Sequence, residues 1–258
     1  MLCPHHPRTP AAPSPMTLAL KRAIDVVASA CGLVVLLPVF AVIAFAIKLD
    51  SRGPVFFRQE RVGRGGRPFR MFKFRSMGVE AAKAGLALTV RADKRVTRVG
   101  KFLRASKLDE LPQLINVLGG SMSLVGPRPE VPEFMNFYSP EQRAIILSMQ
   151  PGMTDYATIL FRDESSLLDQ NNDPVEVYRQ QILPVKFSFY HRYSKEIGTL
   201  NDLRIILATI LLVAVGRVPG ALGIEHDLTI LPGHKGAKAD EQQGIGRQVG
   251  MASARTNT

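Results

Sequence analysis

The sequence predicts a mainly helical α+β protein, with an N-terminal re-entrant membrane helix-hairpin, a small cytoplasmic domain and amphipathic interfacial helices. Three observations carry this expectation. Ala23 to Ile47 is almost wholly apolar, broken by Asp25 and Pro38, and about 20 such residues span a bilayer. Lys and Arg flank that segment on both sides. Beyond it, two strand-like runs around a glycine turn are followed by several helix-start signals.

Residues 1–17 are rich in Pro and Ala and read as a disordered extension. His5 and His6 have no further metal ligand near them in sequence. Residues 18–50 form the membrane segment. A cleaved signal peptide, with Lys21-Arg22 as its n-region and Ala44-Phe45-Ala46 as its cleavage site, is disfavoured because the run is too long and starts too late. Lys21 and Arg22 precede the segment; Lys48, Arg52, Arg58, Arg61, Arg64, Arg67, Arg70, Lys73 and Arg75 follow it. Basic flanks stay on the cytoplasmic side, so neither flank favours translocation. Pro38 has no N–H to donate, and a kinked helix entering and leaving by one face satisfies both observations. A straight single span, with residues 1–20 outside, remains the alternative. Asp25 is expected to pair with Lys21 or Arg22.

Residues 51–216 form the main domain. Across 52–77, Val55-Phe56-Phe57 and Phe69, Met71, Phe72, Phe74 read as two short strands joined at Gly63, Gly65 and Gly66. Most arginines there are expected to meet anionic headgroups. Between Arg91 and Arg104, Val96, Val99 and Phe102 are the expected buried face of a short helix or turn. Glu133 to Met149 reads as helical, with Ser139 as a cap and Pro140 in the first position. Thr158 to Phe161 reads as a strand. Arg162-Asp163-Glu164 is either a solvated loop or internal ion pair, or a UDP-sugar contact. Asp173 to Tyr193 reads as helix around a break at Pro184, with His191 structural. Ile205 to Val215 is too short to span and is either an interfacial helix or a core helix. Residues 217–258 read as a polar tail.

The chain carries a formal charge of +11. Such a balance suits nucleic acid, anionic membrane or phosphorylated ligands. The absence of Trp and the presence of only 5 Tyr leave little for base stacking, and there is no zinc-finger spacing, so a nucleic-acid partner is not expected. Cys3 and Cys31 form no disulfide framework. There is no dinucleotide fingerprint or P-loop.

The densest chemistry lies in Arg104-Ala-Ser-Lys-Leu-Asp109-Glu110-Leu-Pro112 and in Pro127-Arg128-Pro129. Pro112 places a helix start near Leu108 or Asp109, where backbone N–H groups favour ionised acids and phosphate. An ionised Asp109 is a competent nucleophile at phosphorus. Glu110 is suited to moving a proton or holding a divalent cation. Capping, with Ser106 and Asp109 as a pair, is the alternative for these acids. Arg128, held in a stiff turn, suits bidentate phosphate binding; taken alone it is an ordinary surface or ion-pair residue.

Several segments together resemble the bacterial sugar transferase family, the monotopic phosphoglycosyl transferases that start glycoconjugate assembly. They are Lys21-Arg22-Ala-Ile-Asp25, Gly53-Pro54 through Gly63, Phe72-Lys73-Phe74-Arg75-Ser76-Met77, Leu103 through Val117, and Met122 through Pro129, in the family's order across roughly residues 18–215. The resemblance implies transfer of a phospho-sugar from a UDP-sugar to polyprenyl phosphate, usually undecaprenyl phosphate, with release of UMP. It implies Mg²⁺, a covalent intermediate on Asp109, Glu110 as the second member of the catalytic dyad and a metal ligand with Asp109, and phosphate contacts from Lys73, Arg104 and Arg128. It implies a re-entrant hairpin in the bacterial inner membrane with the catalytic domain on the cytoplasmic face, and it is compatible with a homodimer. Two departures stand out: Leu37 precedes Pro38 where the family often has Ser, and Thr154-Asp155 stands where it often has Thr-Gly. The second bears on sugar and nucleotide contacts, which are expected in loops such as Gly152–Glu164. A basic membrane-surface module without enzymatic activity is the competing reading.

Overall fold

A computed structural model describes residues 13–79, 93–162, 164, 168, 173–219 and 222–224. Among these it is mainly helical with two small two-stranded sheets, in line with the mainly helical α+β expectation. The expected tail beyond residue 224, the extension before residue 13 and Asp163 lie outside the described residues.

Helix α1 (Pro15–Asp50) starts at Ser14, whose hydroxyl accepts the Thr17 N–H, and continues through Pro38. At Pro38, where a kink was expected, the helix is continuous, because an exposed proline removes one backbone bond without ending it. A stripe at three- to four-residue spacing faces the rest of the protein: Asp25, Ser29, Phe40, Ile43 and Ile47. The opposite surface exposes Val27, Val34, Val35, Leu37, Val42, Phe45 and Leu49. This helix is long and apolar enough to cross a membrane, and so much exposed apolar surface associates it with one.

Both ends of α1 are tied to the same body. Lys21 Nζ donates to Asp202 (2.6 Å) and to the Val125 carbonyl (2.8 Å). Arg22 donates to the Val117 and Leu118 carbonyls at 2.6 and 2.9 Å. Asp25 pairs with neither base; it accepts the Leu124 N–H at 2.9 Å, because both cations are drawn to acceptors outside the helix. At the far end Ile43 and Ile47 pack with Phe74 and Leu103. Lys21 and Asp202 are about one-tenth exposed, so removing one partner strands a charge, at about 3–5 kcal/mol. Lys21→Met is expected to lower the thermal midpoint in detergent by several degrees; an unchanged midpoint would show the pair to be dispensable.

Strands β1 (Phe56–Val62) and β2 (Pro68–Phe74) form the expected antiparallel hairpin, with Phe57 opposite Lys73. Gly65 and Gly66 both adopt positive φ in the connection, a conformation that favours glycine. Helix α2 (Arg98–Ala105) packs Val99 on the core as expected, but buries Leu103 and leaves Phe102 exposed against the expectation. Gly100 sets this rotation: it abuts the Ser76 backbone so closely that a Cβ would overlap it.

After α3 (Gln113–Leu118), strand β3 (Ser123–Val125) pairs in parallel with β4 (Gly152–Thr154). Between them lie a 3-10 segment (Pro132–Phe137) and α4 (Pro140–Ser148), the latter opened by the expected Ser139 cap in a capping box with Gln142. Residues 158–160, read as a strand, belong instead to α5 (Tyr156–Leu160). Asp155 caps that helix by accepting the Thr158 N–H at 2.6 Å, and a strong cap outweighs the β preference of Thr and Ile. Helix α6 (Pro174–Val177) runs through a π-helical turn (Tyr178–Ile182) into α7 (Leu183–Glu196). The wide turn carries the chain past Pro184 without the expected break. Helix α8 (Thr199–Val215) buries Ile205, Ala208 and Leu212 and exposes Leu200, Leu203, Leu207, Ile210 and Val213. Its buried face fits a core helix, and its exposed apolar face is the one an interfacial helix would turn to lipid.

Candidate active site

Helix α2 ends where the Ser106 hydroxyl donates back to the Phe102 carbonyl at 2.8 Å. Ser106 therefore closes α2 and does not cap the acidic pair. Lys107 follows in the left-handed region at φ 59°, at a cost of about 1–2 kcal/mol, and reverses the chain. Leu108–Glu110 then forms a separate 3-10 turn, and α3 begins only after Pro112. The acids precede the helix rather than opening it, because Pro112 occupies the cap position.

This turn lies against β2. The Asn116 side chain accepts the Phe72 N–H (2.8 Å) and donates to the Arg70 carbonyl (2.9 Å), fixing α3 across the strand. Lys73 Nζ then reaches Glu110 Oε1 at 2.9 Å. Arg128 grips the same carboxylate with two nitrogens, Nη1 to Oε2 at 3.0 Å and Nη2 to Oε1. Arg104 donates through Nε to Ser76 at 2.8 Å. Asp109 is buried, and its side chain makes no hydrogen bond among the described residues. All five predicted site residues line one cleft of about 1260 Å³. The structure joins Lys73, Glu110 and Arg128 by direct contact, and sets Asp109 and Arg104 beside them.

The two acids differ electrostatically. Burial pushes the Asp109 carboxyl up, Glu110 adds to that, and Lys73 and Arg104 only partly oppose it. Burial also acts to raise Glu110, but Arg128 and Lys73 outweigh it and hold Glu110 well below the usual range. Burial lowers Lys73, with partial compensation from Glu110, while Glu110 raises Arg128. Glu110 is a fixed anion between two cations; Asp109 is the more basic and less encumbered carboxylate.

The Pro127-Arg128-Pro129 turn is held from beneath. Gly126 N–H bonds to Thr154 O at 3.1 Å and Gly152 N–H to Pro127 O at 2.9 Å. A Cβ on either glycine would overlap the other segment's backbone. Asp155 Oδ2 accepts the Arg128 N–H at 3.0 Å. Arg61 Nη1 donates to the Pro129 carbonyl at 2.9 Å. Sequence reasoning missed Arg61, Ser76, Asn116 and Asp155. Arg61 and Arg75 differ from the headgroup arginines expected in this stretch: Arg75 donates to the Arg52 and Ser51 carbonyls, whereas Arg52, Arg58, Arg64, Arg67 and Arg70 are exposed. The signal for Asp155 was its place before an apolar helical run.

The rest of the cleft divides by chemistry. Lys94, Lys101 and Lys107 continue the basic side beyond Arg104. Leu124, Met153, Ile206, Ile210 and Val213 form an apolar side along α8. In the third charged cluster, Arg162 donates to the Leu212 carbonyl (2.7 Å) and Glu164 pairs with Lys186 (2.7 Å), as the internal ion-pair reading expected. Among the described residues no three His, Cys, Asp or Glu side chains gather as a metal cage. One open carboxylate beside one engaged carboxylate suits Mg²⁺, which takes few protein ligands and completes its shell with water and substrate phosphate.

A family model of bacterial sugar transferases matches residues 16–216. This chain belongs to the bacterial sugar transferase family. The transferase is similar to the UDP-glucose:undecaprenyl-phosphate glucose-1-phosphate transferase of Caulobacter vibrioides, 40% identical over 192 residues, covering 74% of this chain and 68% of that protein. It is 35% identical over 209 residues to the UDP-N-acetylgalactosamine-undecaprenyl-phosphate N-acetylgalactosaminephosphotransferase of Aeromonas hydrophila, covering 79% of this chain and 46% of that protein. It is 39% identical over 194 residues to the UDP-glucose:undecaprenyl-phosphate glucose-1-phosphate transferase of Escherichia coli K12, covering 74% of this chain and 39% of that protein. The sugar transferase thus spans less than half of the last two relatives.

Proposed function

We propose that this phosphoglycosyl transferase moves a phospho-sugar from a UDP-sugar to undecaprenyl phosphate and releases UMP, as a first membrane step in building a surface glycan. The observation that carries the reading is Asp109: a buried, unpaired carboxylate in one cleft with Lys73, Arg104 and Arg128, a cleft that apolar side chains of α8 also line. An Asp109 oxygen attacks the sugar-linked phosphorus, and the bond from that phosphorus to the UMP oxygen breaks. A polyprenyl phosphate oxygen then attacks the same phosphorus; the bond to Asp109 breaks, restoring the carboxylate and leaving a polyprenyl diphosphate sugar. Arg104, Lys73 and Arg128 stabilise the charge that develops on the phosphoryl oxygens. Glu110 holds Lys73 and Arg128 in place for this. Asp109 and Glu110 would hold Mg²⁺, which supplies neutralisation of the diphosphate when bound.

The membrane arrangement follows from α1. A straight crossing would put Lys21 and its partner Asp202 on the opposite side from Ile47 and its partners Phe74 and Leu103, although all belong to one packed body. Entry and exit by one face, with a bend rather than a break at Pro38, keeps these contacts together. The basic flanks support a cytoplasmic position for that face, at the inner membrane. The exposed apolar faces of α1 and α8 then bring the cleft to headgroup depth.

The test is direct: purified protein with Mg²⁺, undecaprenyl phosphate and UDP-sugars is expected to release UMP only when the lipid is present. Release of UDP instead would refute the phosphoglycosyl assignment.

A pH effect follows from Glu110. Its folded-state pKa is depressed, so its ion pairs stabilise the protein above the ordinary Glu range, and that stability is lost as pH falls through the depressed value. In EDTA, the wild type is expected to lose stability on acidification to a degree that Glu110→Gln, with no carboxylate to protonate, does not. Parallel acid profiles for the two proteins would contradict the sign.

A further inference from the structure

The phosphoglycosyl reading uses the basic and apolar sides of the cleft and leaves a third side without a role. That side is formed by Thr158, Glu164, Lys186 and Tyr190. Lys186 Nζ donates to Glu164 Oε2 at 2.7 Å and lies 3.5 Å from the Tyr178 hydroxyl. Its ammonium sits 4.8 Å from the centre of the Tyr178 ring and 5.9 Å from that of Phe161. The second oxygen of Glu164 takes no hydrogen bond among the described residues.

The tyrosines around this pair are treated unequally. Tyr138 and Tyr178 both donate to the buried Glu130, at 3.3 and 2.7 Å. Tyr190 is 1% exposed and lines the cleft, yet its hydroxyl has no partner among the described residues. Thr158, on the same wall, has its hydroxyl turned to the Asp155 carboxylate that caps its helix. Buried polar groups are nearly always satisfied, so an orphan hydroxyl on a cleft wall points to a ligand that completes it.

We infer that this wall holds the sugar ring of the UDP-sugar, its hydroxyl groups pairing with Tyr190 and bridging Glu164 and Lys186. The assignment rests on the phosphoglycosyl reading. It follows from charge: the wall's paired ions sum to zero, its donors and acceptors are mixed, and aromatic rings stand beside them, which matches a neutral polyol. The dianionic UMP product belongs on the basic side, and the polyprenyl chain belongs on the apolar side. Asp155 carries the wall by capping α5, the helix that presents Thr158. A site built to hydrogen-bond a substrate hydroxyl rejects analogues that cannot satisfy it, so this wall selects the sugar.

The test uses the full chain in detergent, with undecaprenyl phosphate, Mg²⁺, UDP-glucose and UDP-N-acetylgalactosamine as donors, and UMP as a product inhibitor. Tyr190→Phe removes only an unpaired oxygen and is expected to keep the wild-type thermal midpoint. Its kcat/KM for the preferred donor is expected to fall about 10-fold, with weaker discrimination between the two donors, while inhibition by UMP is unchanged. Glu164→Gln is expected to do the same more strongly. Unchanged discrimination with normal UMP release would overturn the sugar subsite and leave the reaction standing. Weakened UMP inhibition in parallel with kcat/KM would overturn it by assigning the wall to the nucleotide. A wild type that releases no UMP from either donor would overturn the reaction and the subsite with it.

Discussion

Asp109→Asn is expected to abolish lipid-dependent UMP release, by a factor on the order of 10⁴–10⁶, as removal of a covalent nucleophile does elsewhere. The amide is nearly the same size, and the Asp109 side chain makes no hydrogen bond among the described residues that the change would break. Its raised pKa states that burial opposes its charge, so the neutral variant is expected to unfold at the same temperature or slightly higher. Membrane association, carried by α1 and α8, is expected to persist. The combination of lost turnover, intact folding and intact membrane binding separates a nucleophile from a structural cap. Turnover within 10-fold of wild type would remove the covalent mechanism.

The second large effect is expected at Arg128→Lys. This substitution keeps the charge and loses the planar fork that meets both oxygens of Glu110. A lysine offers a single point charge, so Glu110 would keep Lys73 and lose its two-point clamp. The cation that faces the phosphoryl group would no longer be fixed in direction. A loss of about 10²–10³ in kcat is expected, comparable to removing one preorganised transition-state donor, with a smaller change in KM. Steady-state kinetics with saturating lipid measure it. A large rise in KM with kcat preserved would instead mean that Arg128 serves ground-state binding alone.

The buried support of these two residues explains why the sequence showed the site only in part. Asp109, Glu110 and Arg128 were legible from distinctive local patterns, a dyad before a proline and an arginine between prolines, whereas Lys73 and Arg104 were legible only through the resemblance to the family. What supports them was not, because an arginine facing lipid and an arginine holding a backbone carbonyl read alike. Arg61 binds the Pro129 carbonyl and Arg75 the carbonyls of Ser51 and Arg52, and neither partner is near in sequence. Asp155 looked like a departure in a loop, yet its two oxygens join α5 to the Arg128 turn; an Asn there would have only one acceptor to offer.

By itself the sequence determined the elements whose causes are local: the long apolar helix, the glycine-turned hairpin, the Ser139-Pro140 helix start and the basic charge. Each follows from residue type and spacing within a few turns of chain. Tertiary structure alone decided that α1 continues through Pro38 and is tied to the body at both ends, that Glu110 is clamped while Asp109 stays open, and that the Tyr190 hydroxyl is left unpaired on a cleft wall. Those outcomes depend on which groups meet across 37 residues for Lys73 and Glu110 and 181 for Lys21 and Asp202. Burial and charge pairing there are properties of the packed whole, and no local spacing encodes them.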